Sequence, residues 1–263
     1  MAELTKKLHF LKNGTEQTAK AYSTTGEAGS AYIPSKIDGV NCYIPIGSTS
    51  DAMATNGRVI KGGTTYAIKS QAKPPYTEIS YTTAGTYTFT VPAGVTRMRV
   101  AVCGGGGASA YTMFPYVSSG NGGTSKFGEL IQATGGGGGR ANHNGDTGTA
   151  SAGSAGTPNG NAGTTSMNND GSRWYSGGAG FELSFTKTSG SYGKGGDAYG
   201  YYYWAPCGTG GSGGYNSGYV TVSPGTTYTI TVGAGGKIAS NSEASAMKDG
   251  NSGFVFIAYG GDI

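Results

Sequence analysis

Val100-Ala101-Val102-Cys103-Gly104-Gly105-Gly106-Gly107 joins two kinds of sequence within eight residues. The first half reads as a strand. The second opens a glycine-rich stretch that runs to Gly214 and holds 33 of the chain's 52 glycines. It closes where Tyr219-Val220-Thr221-Val222 resumes a strand pattern. Ordinary globular chains carry about 7% glycine, so this stretch draws little order from side-chain packing. Two readings follow. It is a flexible, coil-like loop, or its backbones pack directly on one another because only hydrogen protrudes from the glycine α-carbon. Gly145/Gly148, Gly153/Gly156 and Gly160/Gly163 repeat at three residues, the polyproline-II period. A structureless loop this long is also uncommon in a compact domain. Packed polyglycine/polyproline-II helices are the favoured expectation. Broken periodicity and scarce proline argue against a collagen triple helix.

The flanks alternate cleanly. Tyr87, Phe89 and Val91 fall on one face and Thr86, Thr88 and Thr90 on the other; after the turn at Pro92-Ala93-Gly94, Met98, Val100 and Val102 repeat the pattern. Period two over such lengths marks half-buried antiparallel strands. Phe127-Gly128-Glu129-Leu130-Ile131 adds one candidate strand. Residues 219–222 turn at Pro224-Gly225 into 228–232, and Phe254–Tyr259 is apolar on both faces, hence central. The fold class is all-β: a β-sandwich over residues 79–263, with 104–214 projecting from it as one long insertion.

Residues 1–73 read as a separate small β unit. Asn13-Gly14 and Gly62-Gly63 each sit between strand patterns, as hairpin turns do. Residues 42–46 form a short strand whose Pro45 places it at an edge or an end, and a short helix fits near residues 50–55. Lys73-Pro74-Pro75 marks the boundary, with 74–78 as a stiff linker.

Composition narrows function. Of 263 residues, 36% are hydrophobic and 12% charged, unlike the high-charge pattern of disordered chains. The net charge of +4 belongs to residues 1–75, with nine Lys/Arg against five Asp/Glu, whereas residues 76–263 carry nine of each. This is too scattered for a nucleic-acid footprint. Cys42, Cys103 and Cys207 form no disulfide framework. No apolar run follows residues 1–7 as a signal peptide would require, and none has membrane-spanning length. The sequence thus reads as a chain folded in a cytosol with reduced thiols.

Catalytic signatures are weak. Residues 208–213 satisfy GxGxxG and 210–214 satisfy GxSxG, but no helix pattern follows to hold a pyrophosphate or form a nucleophile elbow. His9 and His143 are the only histidines, with no triad or zinc spacing to a cysteine. Single carboxylates (Glu78, Glu129, Asp146, Asp170, Glu182, Asp197) are scattered along the chain. A glycosidase pair would need two of them to converge in space. No cofactor, metal or catalytic residue is expected, and the chain reads as a non-enzyme.

Aromatic residues carry the remaining signal. Tyr199, Tyr201, Tyr202, Tyr203 and Trp204 crowd before Pro206; Trp174-Tyr175 sits among glycine and serine; Tyr111, Phe114 and Tyr116 form a third group. All lie in the glycine-rich stretch. Amphipathic rings among small polar residues make adaptable recognition surfaces, and Tyr and Trp dominate binding hot spots. These ten residues are the candidate receptor-binding set. The alternative is that the rings cover the glycine helices. Tyr87, Phe89, Tyr228, Phe254 and Phe256 are expected in the core.

Residues 86–95, leading through 100–102 into a glycine run, with 218–233 and the terminal apolar strand, resemble the glycine-rich domains of bacteriophage tail fibres and adhesins. The similarity spans roughly residues 79–259. Residues 1–75 more loosely resemble the leading segment of virion-associated proteins of phages or prophages of Gram-positive hosts. The resemblance implies a homotrimeric virion protein without enzymatic activity, folded in the host cytoplasm and released by lysis. Residues 1–73 would bind other virion proteins, and the glycine-rich domain would meet a glycan or protein receptor on the bacterial surface through aromatic-bearing loops. Neither nucleic-acid binding nor membrane insertion is implied. The alternatives are a capsid or tail decoration fibre without a specific receptor and, more remotely, an ice-binding protein, which would need a regular threonine face.

Overall fold

The structure, a computed structural model, describes residues 74–112, 116–144, 147–166, 173–200, 206–240, 244–261 and 263, together with the backbone of strands within residues 3–67. Two compact units divide the chain, Met1–Lys73 and Pro74–Ile263.

The first unit is built from antiparallel pairs. Glu3–Lys12 pairs with Thr15–Tyr22 as far as Lys12 opposite Thr15, and Arg58–Lys61 pairs with Thr64–Ala67 as far as Lys61 opposite Thr64, so each expected hairpin has its two strands paired. Val40–Ile46 pairs with Ala31–Ile37, a strand missed in the sequence because Pro34 interrupts its apolar pattern. The helix expected near residues 50–55 lies outside the described residues.

The second unit contains a sandwich of two four-stranded antiparallel sheets. In the first, Thr77–Tyr81, Phe254–Tyr259, Arg97–Cys103 and Tyr215–Thr221 lie side by side in that order. In the second, the order is Gly85–Thr90, Thr227–Val232, Ser125–Phe127 and Ile131–Ala133. Met98, Val100, Val102, Val255 and Ile257 from the first sheet meet Phe89, Phe127, Ile131, Ile230 and Val232 from the second in one buried cluster. Phe254–Tyr259 is central in its sheet, as its two-sided apolar character requires. Removing apolar surface from water at about 25 cal/mol per Å² makes this cluster the main anchor of the unit.

Three boundaries differ from the sequence reading. Thr77–Tyr81 is a paired strand, and Gly261 N–H donates to Pro74 O, so residues 74–78 belong to the sandwich instead of forming a linker. Residues 127–131 form a turn between two short strands, with Gly128 at φ 52°, and not a single strand. That hairpin also returns the chain to the second sheet, so residues 104–214 are not one uninterrupted excursion.

Instead, among the described residues, the chain runs out from the sandwich and back five times. The outward and return segments are 104–109 and 119–123, 134–139 and 153–157, 161–164 and 176–178, 193–197 and 209–214, and finally 233–238 and 247–253. The fifth excursion lies beyond the glycine-rich stretch recognised in the sequence. Backbone hydrogen bonds knit these segments together with a period of three. Along 209–214, the amides of Thr209, Gly210 and Gly211 donate to Thr164, Gly196 and Gly137; those of Ser212, Gly213 and Gly214 then donate to Asn161, Gly193 and Thr134 in the same three segments. Segment 104–109 does likewise: Gly104 and Gly107 donate to 214 and 211, Gly105 and Ala108 to 123 and 120, Gly106 and Ser109 to 251 and 248. Donor directions that recur every third residue are those of a three-residue helix.

Such packing leaves no room for a side chain at the closest approaches. A Cβ on Gly210 would stand 1.9 Å from the carbonyl oxygen of Gly107. Here glycine is needed for space, since its neighbours are backbone atoms that cannot turn aside.

Candidate functional site

The far ends of the five excursions meet in a cap of short strands. Ala110–Tyr111 and Thr165–Ser166 both pair with Cys207–Gly208; Val117–Ser118 pairs with Arg140–Asn144, which pairs with Thr147–Ser151; Arg173–Tyr175 pairs with Ala198–Gly200. A bridge from Ala198 to Met247 ties in the fifth excursion. Beneath them lies a second core of Ala110, Tyr111, Val117, Ala141, Ala198, Cys207, Ala246 and Met247. Each of the three aromatic groups singled out in the sequence therefore has members at the same end of the unit.

Their roles differ. Tyr111 is 0% exposed and packs in the cap core, so it is removed from the surface candidates. Tyr175 and Tyr199 are partly buried against that core. Tyr116 and Trp174 are 54% and 46% exposed. Trp174 and Tyr199 sit opposite each other across paired strands, with ring centroids 5.2 Å apart and planes tilted by 56°. Phe114, Tyr201, Tyr202, Tyr203 and Trp204 lie outside the described residues.

Polar bonds fix the base of this end. Lys248 N–H donates to Ser109 Oγ at 2.8 Å, and Ser109 Oγ donates to Asp197 O at 2.6 Å. Ser119 Oγ donates to Ser109 O at 2.6 Å. Buried hydroxyls that satisfy backbone groups in this way make the strands above them rigid.

Sequence reasoning missed a charged cleft of about 690 Å³ beside the cap. Lys194, Asp197, Lys237, Lys248 and Asp249 line it. Lys194 Nζ donates to Asp197 Oδ2 at 2.8 Å, while Asp197 Oδ1 accepts from Gly177 N–H at 2.8 Å. Lys237 Nζ donates to Asp249 Oδ2 at 2.6 Å, and Ile238 N–H to Asp249 Oδ1 at 2.9 Å. Partial burial pushes the Asp249 pKa up, but the Lys237 and Ile238 hydrogen bonds and the Lys237 charge outweigh it, and the carboxyl stays below its ordinary value. Lys248 Nζ stands 5.2 Å from the centroid of the Trp174 ring. Only the Lys194/Asp197 spacing was legible locally; the other groups come together through the fifth excursion.

The two glycine signatures occupy the interior of the packed segments. Ser212 is fully buried; its Oγ accepts from Asn161 N–H at 2.8 Å and donates to Gly213 O at 3.1 Å. Residues 208–213 precede a strand, and the amides of 209–213 are used by neighbouring backbones. Neither arrangement offers an exposed nucleophile or a phosphate cradle. Cys103 and Cys207 are buried, and burial pushes Cys103 up to about 12, which makes it inert near neutrality. Among the described residues, no group of three His, Cys, Asp or Glu side chains could hold a metal ion, and no helix is long and apolar enough to cross a membrane.

No family model, curated protein or solved structure matches the chain.

Proposed function

We propose that the chain is a non-enzymatic tail-fibre or adhesin protein of a bacteriophage, and that the cap of its second unit recognises the bacterial surface. The convergence of Tyr116, Trp174 and Tyr199 on one end carries this reading. A backbone-knit stalk supports that end, so its rings are presented with little conformational entropy to lose. The connections 113–115, 167–172 and 201–205 begin and end there, and they contain Phe114, Tyr201, Tyr202, Tyr203 and Trp204. In this reading, residues 1–73 attach the protein to the virion, and the working form is a homotrimer.

The test is pull-down of the labelled full chain on a panel of bacterial strains. Saturable, strain-restricted binding supports the proposal, provided that Trp174→Ser and Tyr116→Ser weaken it while leaving the folded state intact. Replacing 201–204 by serines is expected to abolish it. A folded chain that binds no strain, or binds all of them without saturation, would move the assignment to a decoration fibre with no receptor.

A further inference from the structure

We propose that the charged cleft beside Trp174 binds an anionic saccharide, a sugar bearing a carboxylate or a phosphate. This rests on the reading that the cap end meets a cell surface, and it names the chemistry that one side of that end would take.

The cleft holds three lysines and two aspartates. Two of the lysines are matched, Lys194 by Asp197 and Lys237 by Asp249. Lys248 has no carboxylate partner among the described residues, so it is the surplus positive charge. It stands at the face of a ring that is still 46% exposed. The site therefore combines a flat apolar surface, a surplus cation, and two carboxylates held in place by backbone amides.

Those three elements match three features of a charged sugar. The C–H face of a pyranose packs on an aromatic ring. Its hydroxyls need donors and acceptors at fixed positions, which the Lys–Asp pairs supply. Its anionic group takes a charge-assisted bond from Lys248. An apolar ligand would strand these charges without hydrogen bonds. An acidic peptide offers the charge but neither the ring face nor the hydroxyls.

The experiment is calorimetric titration of the full chain with four probes: tetragalacturonate, a glycerol-phosphate tetramer carrying glucose, neutral maltotetraose and tetraglutamate. One of the first two is expected to bind saturably, and which one does so separates a carboxylate source from a phosphate source. Lys248→Gln and Trp174→Ala should each weaken that binding about tenfold or more, the loss expected for one charge-assisted or stacking contact. Lys126→Gln, which removes a sandwich ion pair with Glu129, should leave it unchanged. The proposal is overturned if neither charged sugar binds, if maltotetraose or tetraglutamate binds as well as they do, or if Lys248→Gln has no effect in a chain with unaltered circular dichroism. Strain pull-down separates the two readings. Attachment undiminished in Lys248→Gln sinks the cleft and leaves surface recognition standing. Sugar binding by a chain that attaches to no strain does the reverse.

Discussion

Gly210→Ala tests the origin of the stalk's stability most directly. The added methyl would lie 1.9 Å from Gly107 O, 2.5 Å from Gly107 C and 2.9 Å from Gly196 N. Ordinary carbon contacts begin near ~3.5 Å, so segments 209–214 and 104–109 must separate locally by about 1.5 Å. The bonds Gly107 N to Gly211 O at 2.9 Å, Gly210 N to Gly196 O at 3.0 Å and Gly196 N to Gly107 O at 2.8 Å cannot survive that displacement. Three buried bonds at about 1–3 kcal/mol each, counted as unsatisfied groups, total roughly 3–9 kcal/mol. That approaches the whole stability of an ordinary domain, about 5–15 kcal/mol. Two glycines serve as controls. Gly218 has nothing within 4 Å of an added Cβ, so Gly218→Ala in its strand should be neutral or stabilise by about 0.5–1 kcal/mol. Gly225 is equally open but has φ 81°, so Gly225→Ala should cost about 1–2 kcal/mol through backbone conformation alone. Urea unfolding followed by near-ultraviolet circular dichroism measures all three. A Gly210→Ala chain within about 1 kcal/mol of the parent would refute the claim that close backbone packing holds the stalk.

Two further outcomes concern ionisable groups. The Cys103 thiol is shifted by burial from 9.0 to about 12. A raised folded-state pKa means that its stabilising contribution is intact below pH 9 and is lost as pH climbs towards 12. Relative to Cys103→Ala, the parent should therefore lose stability above pH 9 at up to about 1.4 kcal/mol per pH unit, read from urea curves at each pH; parallel pH profiles would contradict it. Asp249 is shifted down, so its contribution is present above the ordinary carboxyl range and falls away as pH drops through its folded value. Asp249→Asn should destabilise at neutral pH by less than about 1 kcal/mol, because the pair is partly exposed, and urea curves should show the difference vanish in acid.

The sandwich was legible because its signal is local. Alternation at Tyr87, Phe89 and Val91, and at Met98, Val100 and Val102, states which face is buried without reference to distant residues. The stalk was less legible. Its order comes from amides meeting carbonyls far along the chain, as Gly104 meets Gly214, and no side-chain pattern records that partner. Residues 233–253 were missed for a related reason. Their five glycines stand in two short groups at either end of the segment, and Gly236 N–H donates to Gly106 O and Gly250 N–H to Gly236 O, roles that composition does not reveal. At the cap, sequence located the aromatic residues but could not separate buried Tyr111 from exposed Tyr116. Both follow the same glycine segment, and only the neighbouring excursions decide which ring is covered. Lys248 became a candidate only through its approach to Trp174.

The three-residue repeat also divides the chain into positions that tolerate length changes and positions that do not. Donors in 209–214 address segments 161–164, 193–197 and 134–139 in rotation. One residue inserted after Gly211 would turn each later donor by about a third of a turn in a three-residue helix, away from its carbonyl. Ser212, Gly213 and Gly214 would all lose their acceptors, and the strand Tyr215–Thr221 would enter its sheet one residue out of register, with its buried face turned outward. A second insertion, doubling the six residues 167–172, falls between the cap strands Thr165–Ser166 and Arg173–Tyr175 instead. The added loop-closure entropy of that doubling is only about 0.6 kcal/mol. Thermal melts should thus show the chain with the single-residue insertion largely unfolded and the chain with the doubled connection shifted by only a few degrees. Equal sensitivity at the two places would mean that the cap connections share the stalk's order, and the division between scaffold and recognition surface would fail.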